Sequence, residues 1–119
     1  MLVVDDEPAI RWFAGRVLSE DGLGVHQAAD GAEALELIRG GVAVDIVLSD
    51  IVMPRLNGVQ LLQSLSTLRP ELPVVLMSGY AMAQLADRGI APPCGVLAKP
   101  FAPEALLAEV RRCIRAPLV

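Results

Sequence analysis

Charged residues stand at the ends of three short apolar runs, and these are the residues best suited to chemistry. They are Asp5 and Asp6 after residues 2–4, Asp50 at the end of residues 46–49, and Lys99 after residues 96–98. If the runs are neighbouring parallel strands, all four charges emerge at one carboxyl-terminal edge, where open α/β sheets bind ligands. Crowded carboxylates repel one another unless a cation lies among them, and a hard divalent cation and a lysine are suitable. The pattern predicts a site for a metal ion and a phosphoryl group.

The composition predicts one folded domain with an aliphatic core. A chain of 119 residues can bury a single core, and 54% hydrophobic with 20% charged residues excludes a disordered chain. Aromatic residues are only 3%, which favours buried parallel strands flanked by helices. The net charge of −4 argues against nucleic-acid binding, which needs clustered Lys and Arg. We find no apolar stretch of about 20 residues and no signal peptide, so we expect a cytoplasmic protein without a membrane segment.

The two cysteines give no sign of a metal site. Cys94 and Cys113 form neither a CxxC motif nor a Cys/His cluster, so we expect two reduced, partly buried thiols. No linker, repeat or composition shift divides the chain, and we treat residues 1–119 as one domain without an output domain. The sequence begins almost inside its first strand, which suggests either a compact single-domain protein or a segment of a longer one.

Apolar spacing alternates between strand-like runs and helical stripes. The predicted strands are residues 2–4, 25–28, 44–48, 74–77 and 96–98. Helices are predicted from Pro8 to before Gly22, from Asp30-Gly31 to Gly40, across 61–68 and over 81–88. A last helix is predicted to start at Pro103, and its inward-facing residues are Leu106, Leu107, Val110 and Ile114. Asp30 is an N-cap candidate, and so is Asp6. Five strands alternating with five helices predict an α/β fold with a parallel sheet and right-handed crossovers.

Four motifs at predicted strand ends are specific in combination. They are Val-Asp-Asp-Glu-Pro, Leu-Ser-Asp-Ile-Val-Met-Pro, Leu-Met-Ser-Gly and Ala-Lys-Pro-Phe, in that order. With them the chain resembles a response-regulator receiver domain of two-component signalling over essentially its whole length. The resemblance implies a flavodoxin-like (βα)5 sandwich with helices on both faces of a five-stranded parallel sheet.

The resemblance also implies a role for each motif residue. Asp50 becomes the phosphoacceptor, taking a phosphoryl group from a phosphohistidine. The implied ligands of one Mg²⁺, with Mn²⁺ as the alternative, are Asp5, Asp6, Asp50 and the backbone carbonyl of Val52. Lys99 and Ser78 then contact phosphate oxygens, and the Lys99–Pro100 peptide bond is expected to be cis.

The family's conformational switch is only half represented. Ser78 occupies the position of the hydroxyl that swings toward the phosphate, but Val96 stands where the family has an aromatic residue. We therefore expect a weaker or different response at the face formed by the fourth helix, fifth strand and fifth helix. Tyr80, two residues after Ser78, is a candidate for covering the site and slowing attack by water.

The resemblance implies a histidine kinase or a histidine phosphotransfer protein as partner, and a monomer or a weak homodimer through that same face. It also implies that the protein's own chemistry is confined to Mg-assisted self-phosphorylation and autodephosphorylation. Trp12 lies off the apolar stripe of the first helix, as either a packing residue or a docking anchor. Met-Ser-Gly-Tyr and the Ala/Leu-rich last helix are similar to receivers attached to hybrid sensor kinases.

Three other functions compete with this interpretation. A receiver-like interaction domain that acts without phosphorylation is kept open by Val96. An aspartate-nucleophile phosphohydrolase requires Asp-x-Asp after the first strand and a capping region, whereas Asp5 and Asp6 are adjacent. A flavin-binding protein of similar fold requires a phosphate-binding loop, and no Gly-rich fingerprint follows a strand.

Overall fold

The computed structural model describes residues 1–78 and 93–115, which form one parallel sheet covered by helices. Its elements in chain order are β1 Leu2–Val4, α1 Pro8–Glu20, β2 His26–Ala28, α2 Gly31–Arg39, β3 Val47–Asp50, α3 Gly58–Leu68, β4 Val74–Ser78, β5 Gly95–Ala98 and α4 Pro103–Arg115. The strand order is β2-β1-β3-β4-β5, with every pairing parallel. The expected α/β fold is confirmed. The helix predicted over 81–88 and the covering role of Tyr80 fall outside the described residues.

The core lies in two layers, one on each face of the sheet. Helices α2 and α3 cover one face, and α1 and α4 cover the other. In β1, Leu2 and Val4 pack toward α2 and α3, whereas Val3 packs toward α1 and α4, and all three are fully buried. A strand with both faces covered needs a continuous apolar run rather than an alternating one. This explains why β1 is uninterrupted hydrophobic sequence until its first carboxylate.

Local signals explain where the helices start. Pro8 occupies the first turn of α1, where its missing N–H removes no helical hydrogen bond. The N-cap of α1 is Glu7, so the alternative of Asp6 as N-cap is wrong. Asp30 caps α2 as predicted, since its Oδ1 accepts a 2.9 Å hydrogen bond from the N–H of Glu33. Helix α3 begins with a capping box formed by Asn57 and Gln60.

The inward stripe of α4 differs from the prediction at its end. Leu106, Val110 and Cys113 are buried, at spacings of four and three residues. Ile114 was predicted to face inward and is instead 38% exposed. The prediction was wrong because each residue turns about 100° around the helix, and Cys113 already fills the inward position of the last turn.

Cys94 and Cys113 form a disulfide, so the prediction of two reduced thiols was wrong. Their Cα atoms are 6.0 Å apart although 19 positions separate them in sequence. Cys94 immediately precedes β5 and Cys113 lies near the end of α4, which packs beside that strand. The fold brings the two cysteines together, and no local sequence motif predicts that they pair.

Two further side chains, His26 and Trp12, lie at the surface. His26 is exposed at the start of β2. Trp12 is 62% exposed on α1, and the guanidinium of Arg16 lies 5.5 Å from its ring centroid, a cation–π distance. In the part of the chain that the structure describes, no helix combines the length and the apolar character that a bilayer crossing requires.

Candidate functional site

Sheet register brings the predicted charged residues to the same edge. Val4 of β1 is paired with Ser49 of β3, so Asp5 and Asp50 emerge side by side where these two central strands end. Both strands run in the same direction, and their carboxyl ends form the edge at which α/β sheets bind ligands. On the other side of the site, the backbone N–H of Lys99 donates a 3.1 Å hydrogen bond to the carbonyl of Ser78. The two halves of the sheet thus deliver opposite charges to one place.

Three carboxylates converge at this edge. One oxygen from each of Asp5, Asp6 and Asp50 lies within 4.8 Å of the other two. Asp5 is fully buried, Asp50 is 8% exposed, and Asp6 is open to solvent. Hard oxygen ligands gathered from two buried positions and one open position fit Mg²⁺, which keeps part of its water shell. The residues present are therefore suited to the metal ion that the sequence predicts.

The ammonium of Lys99 lies among these carboxylates. Its Nζ is 2.9 Å from Oδ2 of Asp5 and 3.3 Å from Oδ1 of Asp50. The Lys99–Pro100 peptide bond is cis, as the resemblance implies. The side chain of Lys99 is only 21% exposed, so this cation is held inside the site rather than in solvent.

Backbone donors orient the two buried carboxylates. Oδ1 of Asp5 accepts a 2.9 Å hydrogen bond from the N–H of Glu7, at the start of α1. Oδ1 of Asp50 accepts one of 2.9 Å from the N–H of Ile51. The guanidinium of Arg11 donates to the backbone carbonyl of Asp5 at 2.5 Å. The first two contacts hold the carboxylates in place, and the third fixes the backbone of Asp5.

The charges of the site shift each other's titration. Burial raises the pKa of the Asp50 carboxyl, the neighbouring charge of Asp5 raises it further, and Lys99 opposes both effects. For Lys99, burial disfavours the ammonium, but the hydrogen bonds and charges of Asp5 and Asp50 outweigh it and raise its pKa. Lys99 is therefore a permanent cation at neutral pH. Asp50 is a more basic carboxylate than one in water.

The remaining predicted residues surround this centre. Ser78 is the last residue of β4 and is 4% exposed. Val52 follows Asp50 by two positions, and its residue surface is 60% exposed. Val96 is half-buried in β5 and packs against the core layer that α2 and α3 cover. The structure thus provides the predicted positions, and the roles of these three residues stay predictions.

A close approach at Gly58 was not foreseen. A Cβ atom at this position would collide with the backbone carbonyl oxygen of Asp50. The N–H of Gly58 also donates a 2.8 Å hydrogen bond to the carbonyl of Ile51. The sequence shows Asn57-Gly58 only as a turn signal, whereas the structure uses the glycine to bring the start of α3 against the end of β3.

Arg55 was also missed by sequence reasoning. Its guanidinium donates two hydrogen bonds to the carboxylate of Asp30, at 2.8 and 2.9 Å. These bonds lower the pKa of Asp30 below its ordinary value. Arg55 has a φ of 66°, a left-handed conformation that costs on the order of 1 kcal/mol for a residue with a side chain. No local signal could reveal a partner 25 positions away in sequence.

Comparison with known proteins assigns the chain to a family. The family model of the response regulator receiver domain matches residues 1–111. The chain is 40% identical over 116 residues to the sensor kinase CckA of Brucella abortus, and 38% identical over 118 residues to the response regulator MprA of a Mycobacterium species. It covers 12% of the length of CckA and 50% of that of MprA, with 96% and 97% of this chain aligned.

Solved structures give the same assignment. The receiver domain of NtrX from Brucella abortus superposes with a TM-score of 0.84 at 32% identity, covering 98% of both chains. A CheY-like receiver domain protein from Methanospirillum hungatei also has a TM-score of 0.84, at 28% identity, covering 95% of this chain and 90% of the other. These likenesses extend over the whole sheet and its helices rather than over the motifs alone.

Proposed function

Since this chain belongs to the response regulator receiver domain family of two-component signalling, we propose that Asp50 accepts a phosphoryl group from a phosphohistidine of a partner protein. One observation carries the proposal. A buried carboxylate, two further carboxylates and an ammonium meet at the carboxyl edge of the sheet, with Lys99 3.3 Å from Asp50. A carboxylate is a weak nucleophile toward an anion, and this arrangement supplies the positive charge that the reaction requires.

The transfer is a displacement at phosphorus. An oxygen of Asp50 forms a bond to phosphorus while the phosphorus–nitrogen bond of the donor histidine breaks. The imidazole leaves with the electron pair of that bond and takes up a proton, and Asp50 becomes an acyl phosphate. The raised pKa of Asp50 makes its oxygen more nucleophilic. Lys99 offsets the negative charge of the incoming phosphoryl oxygens.

Residues of this chain would hold the metal ion. Its ligands are the carboxylates of Asp5, Asp6 and Asp50 and the backbone carbonyl of Val52. When bound, Mg²⁺ or Mn²⁺ adds positive charge beside the acceptor oxygen and the phosphoryl group. Asp5 and Asp6 do not react; they bind the cation, and Asp5 also orients Lys99.

The response to phosphorylation starts at Ser78. The acyl phosphate adds roughly −1.5 to −2 charges at Asp50, and the Ser78 hydroxyl donates to one of its oxygens. Val96 is a stiff β-branched residue, so it does not make the large rotamer exchange of an aromatic side chain. We infer a weakened conformational switch at the face that contains β5 and the last helix, α4, which is the fifth helix of the sequence prediction. That face is also the proposed surface of a weak homodimer.

The signalling context is inferred at the level of the domain. We propose residues 1–119 as one cytoplasmic phosphoacceptor unit that meets a histidine kinase or phosphotransfer protein and catalyses no reaction on other substrates. The likeness to CckA, a sensor kinase of which the chain covers 12%, supports a place in a hybrid kinase. The likeness to MprA supports a place in a response regulator. The alternative of an interaction domain acting without phosphorylation rests on Val96 alone.

Intact mass after incubation with acetyl phosphate and Mg²⁺ tests the proposal. We expect the wild type to gain one phosphoryl group and Asp50→Asn to gain none. Asp45→Asn is the matched control, because Asp45 is an exposed carboxylate before β3 and should leave labelling unchanged. Equal labelling of the wild type and Asp50→Asn would disprove the assignment of the acceptor, and no labelling of the wild type would favour the interaction domain.

A further inference from the structure

The segment from Ile51 to Asn57 links the acceptor strand β3 to α3. It begins directly after Asp50 and contains Val52, whose carbonyl is a proposed metal ligand. Its base is closed by the 2.8 Å hydrogen bond from the N–H of Gly58 to the carbonyl of Ile51. Met53 is 8% exposed and anchors the middle of the segment in the core. Val52 is 60% exposed and has little packing of its own to fix its backbone.

The far end of this segment is held against the start of α2. Two hydrogen bonds of 2.8 and 2.9 Å join the guanidinium of Arg55 to the carboxylate of Asp30. The N–H of Gly31 donates a 3.0 Å hydrogen bond to the carbonyl of Leu56. A Cβ atom on Gly31 would lie 2.5 Å from that carbonyl oxygen, so the close approach requires glycine. The loop therefore has a second attachment, outside the acceptor strand.

Asp30 is a rigid anchor for this attachment. It is 7% exposed and also caps α2 by accepting the N–H of Glu33. Two parallel hydrogen bonds from a planar guanidinium fix orientation as well as distance. Arg55 keeps a left-handed φ of 66°, which favours glycine, while it makes this contact. The contact therefore holds a residue with a side chain in a backbone conformation that glycine adopts more easily.

We propose that Asp30 and Arg55 are a positioning pair that fixes the loop so that the backbone carbonyl of Val52 is presented to a divalent cation. The pair acts through the loop and touches neither the cation nor the phosphoryl group. Because that carbonyl's role rests on the proposed function, the test must separate the two ideas. Outer contacts that orient metal ligands typically change metal affinity by about 10-fold or more when they are removed.

The test compares the Mg²⁺ requirement of four proteins with that of the wild type. Arg55→Gly removes the guanidinium and suits the left-handed backbone, and Asp30→Asn weakens the pair while keeping a good N-cap. The third protein combines both changes. Arg111→Gln is the matched control, since the guanidinium of Arg111 also makes two hydrogen bonds to a carboxylate, that of Asp21. Asp21 lies at the C-terminal end of α1, and the candidate site lies at the other end of that helix.

Mg²⁺ affinity is measured from the rise of Tm with Mg²⁺ concentration, which follows mass action. We expect Arg55→Gly to raise the half-saturating concentration roughly 10-fold and Asp30→Asn roughly threefold. The double variant should match Arg55→Gly, because the partner is already lost. Arg111→Gln should stay within about twofold of the wild type.

Phosphorylation by acetyl phosphate gives a second readout. For Arg55→Gly the half-saturating Mg²⁺ concentration should rise, while the rate at saturating Mg²⁺ stays within about twofold of the wild type. A purely structural ion pair would lower Tm without Mg²⁺ and leave the Mg²⁺ requirement unchanged. That result, or additive losses in the double variant, would overturn the positioning role.

The outcomes also distinguish the two ideas. If the wild type is phosphorylated on Asp50 with Mg²⁺ and both single variants need the same Mg²⁺ concentration as the wild type, only the positioning role fails. If the wild type shows no Mg²⁺-dependent rise in Tm and no phosphorylation, the proposed function fails and the positioning role fails with it.

Discussion

The ammonium of Lys99 donates a 2.9 Å hydrogen bond to the carboxylate of Asp5, across 94 positions of the sequence. Asp5 has no exposed side-chain surface, and its carboxylate accepts hydrogen bonds from Lys99 and from the backbone N–H of Glu7. Lys99 also lies 3.3 Å from Asp50. One cation thus compensates two buried carboxylates.

Replacing Lys99 by Met should destabilise the metal-free protein by about 2 kcal/mol, less than the value for fully buried pairs because the lysine is partly exposed. The physical reason is that Asp5 and Asp50 would face each other without a cation. Urea denaturation with a chelator present measures the loss. Phosphorylation by acetyl phosphate should slow by roughly 100-fold, since a donor to the developing charge is missing.

Saturating Mg²⁺ should reduce the difference in the free energy of unfolding between Lys99→Met and the wild type, because the bound ion supplies positive charge to the same carboxylates. A difference that Mg²⁺ leaves unchanged would mean that the lysine stabilises the fold by packing alone.

Asp50→Asn should stabilise the metal-free protein at pH 7. The folded protein raises the pKa of Asp50, chiefly by burial, so its ionisation opposes folding. This loss of folding free energy is complete when the pH is above the pKa of Asp50 in the folded protein. It disappears as the pH falls toward about 4, where an ordinary carboxyl is protonated in the unfolded chain as well. We expect a higher Tm, by roughly 4 °C for each kcal/mol of penalty removed. Calorimetry from pH 4 to 8 measures it, and an advantage of Asp50→Asn that grows on acidification would contradict the sign.

Gly58→Ala should lower the unfolding free energy by about 2 kcal/mol, the range expected for forcing an atom into a packed site. The added methyl collides with the carbonyl of Asp50, so phosphorylation should slow as well. Gly24→Ala is the matched control, because a Cβ atom there meets nothing within 4 Å. Equal denaturation midpoints for the two variants would show that α3 can withdraw from the acceptor strand without loss.

The Cys94–Cys113 disulfide closes a loop of 19 positions, which predicts a stabilisation of about 3 kcal/mol through the unfolded state. Dithiothreitol should lower the urea midpoint of the wild type. The double variant Cys94→Ser/Cys113→Ser should have the lower midpoint already and should not respond to the reductant. Thiol labelling under native, unreduced conditions should find no free cysteine, and two labelled thiols would contradict the pairing.

Trp12→Ala should slow phosphotransfer from a histidine kinase that phosphorylates the wild type, by roughly 10-fold if the exposed ring is a docking anchor. Phosphorylation by acetyl phosphate should be unaffected, because that donor needs no protein surface. Leu68→Ala is the control for an exposed apolar residue on another helix. Equal kinase rates for Trp12→Ala and the wild type would leave the tryptophan as a surface packing residue beside Arg16.

The site's charged residues could be predicted from the sequence because each one ends an apolar strand. Parallel strands put their ends at one edge, so placing Asp5, Asp50 and Lys99 at strand ends was enough to bring them together. Strand limits were less accurate, and β3 was predicted over 44–48 but spans Val47–Asp50. Residues 44–46 are apolar except Asp45, but pairing with β1 starts only where Leu2 meets Val47.

Contacts set by tertiary geometry could not be predicted. Arg55 meets Asp30 because its backbone turns left-handed and the loop folds over α2, and neither fact leaves a periodic pattern. Cys94 meets Cys113 because α4 packs beside β5, which depends on where the helix crosses the sheet. Apolar periodicity predicted Ile114 on the inward face of α4, but Cys113 occupies the inward position of the last turn instead.

The strand order carries a consequence for chains that are still being synthesised or have been clipped. Asp5, Asp6 and Asp50 all precede the midpoint of the sequence, whereas Lys99 directly follows the edge strand β5. A fragment ending before β5 would contain the three carboxylates of the site and lack the balancing ammonium. Such a fragment should therefore be a poor phosphoacceptor, as the proposed role of Lys99 requires.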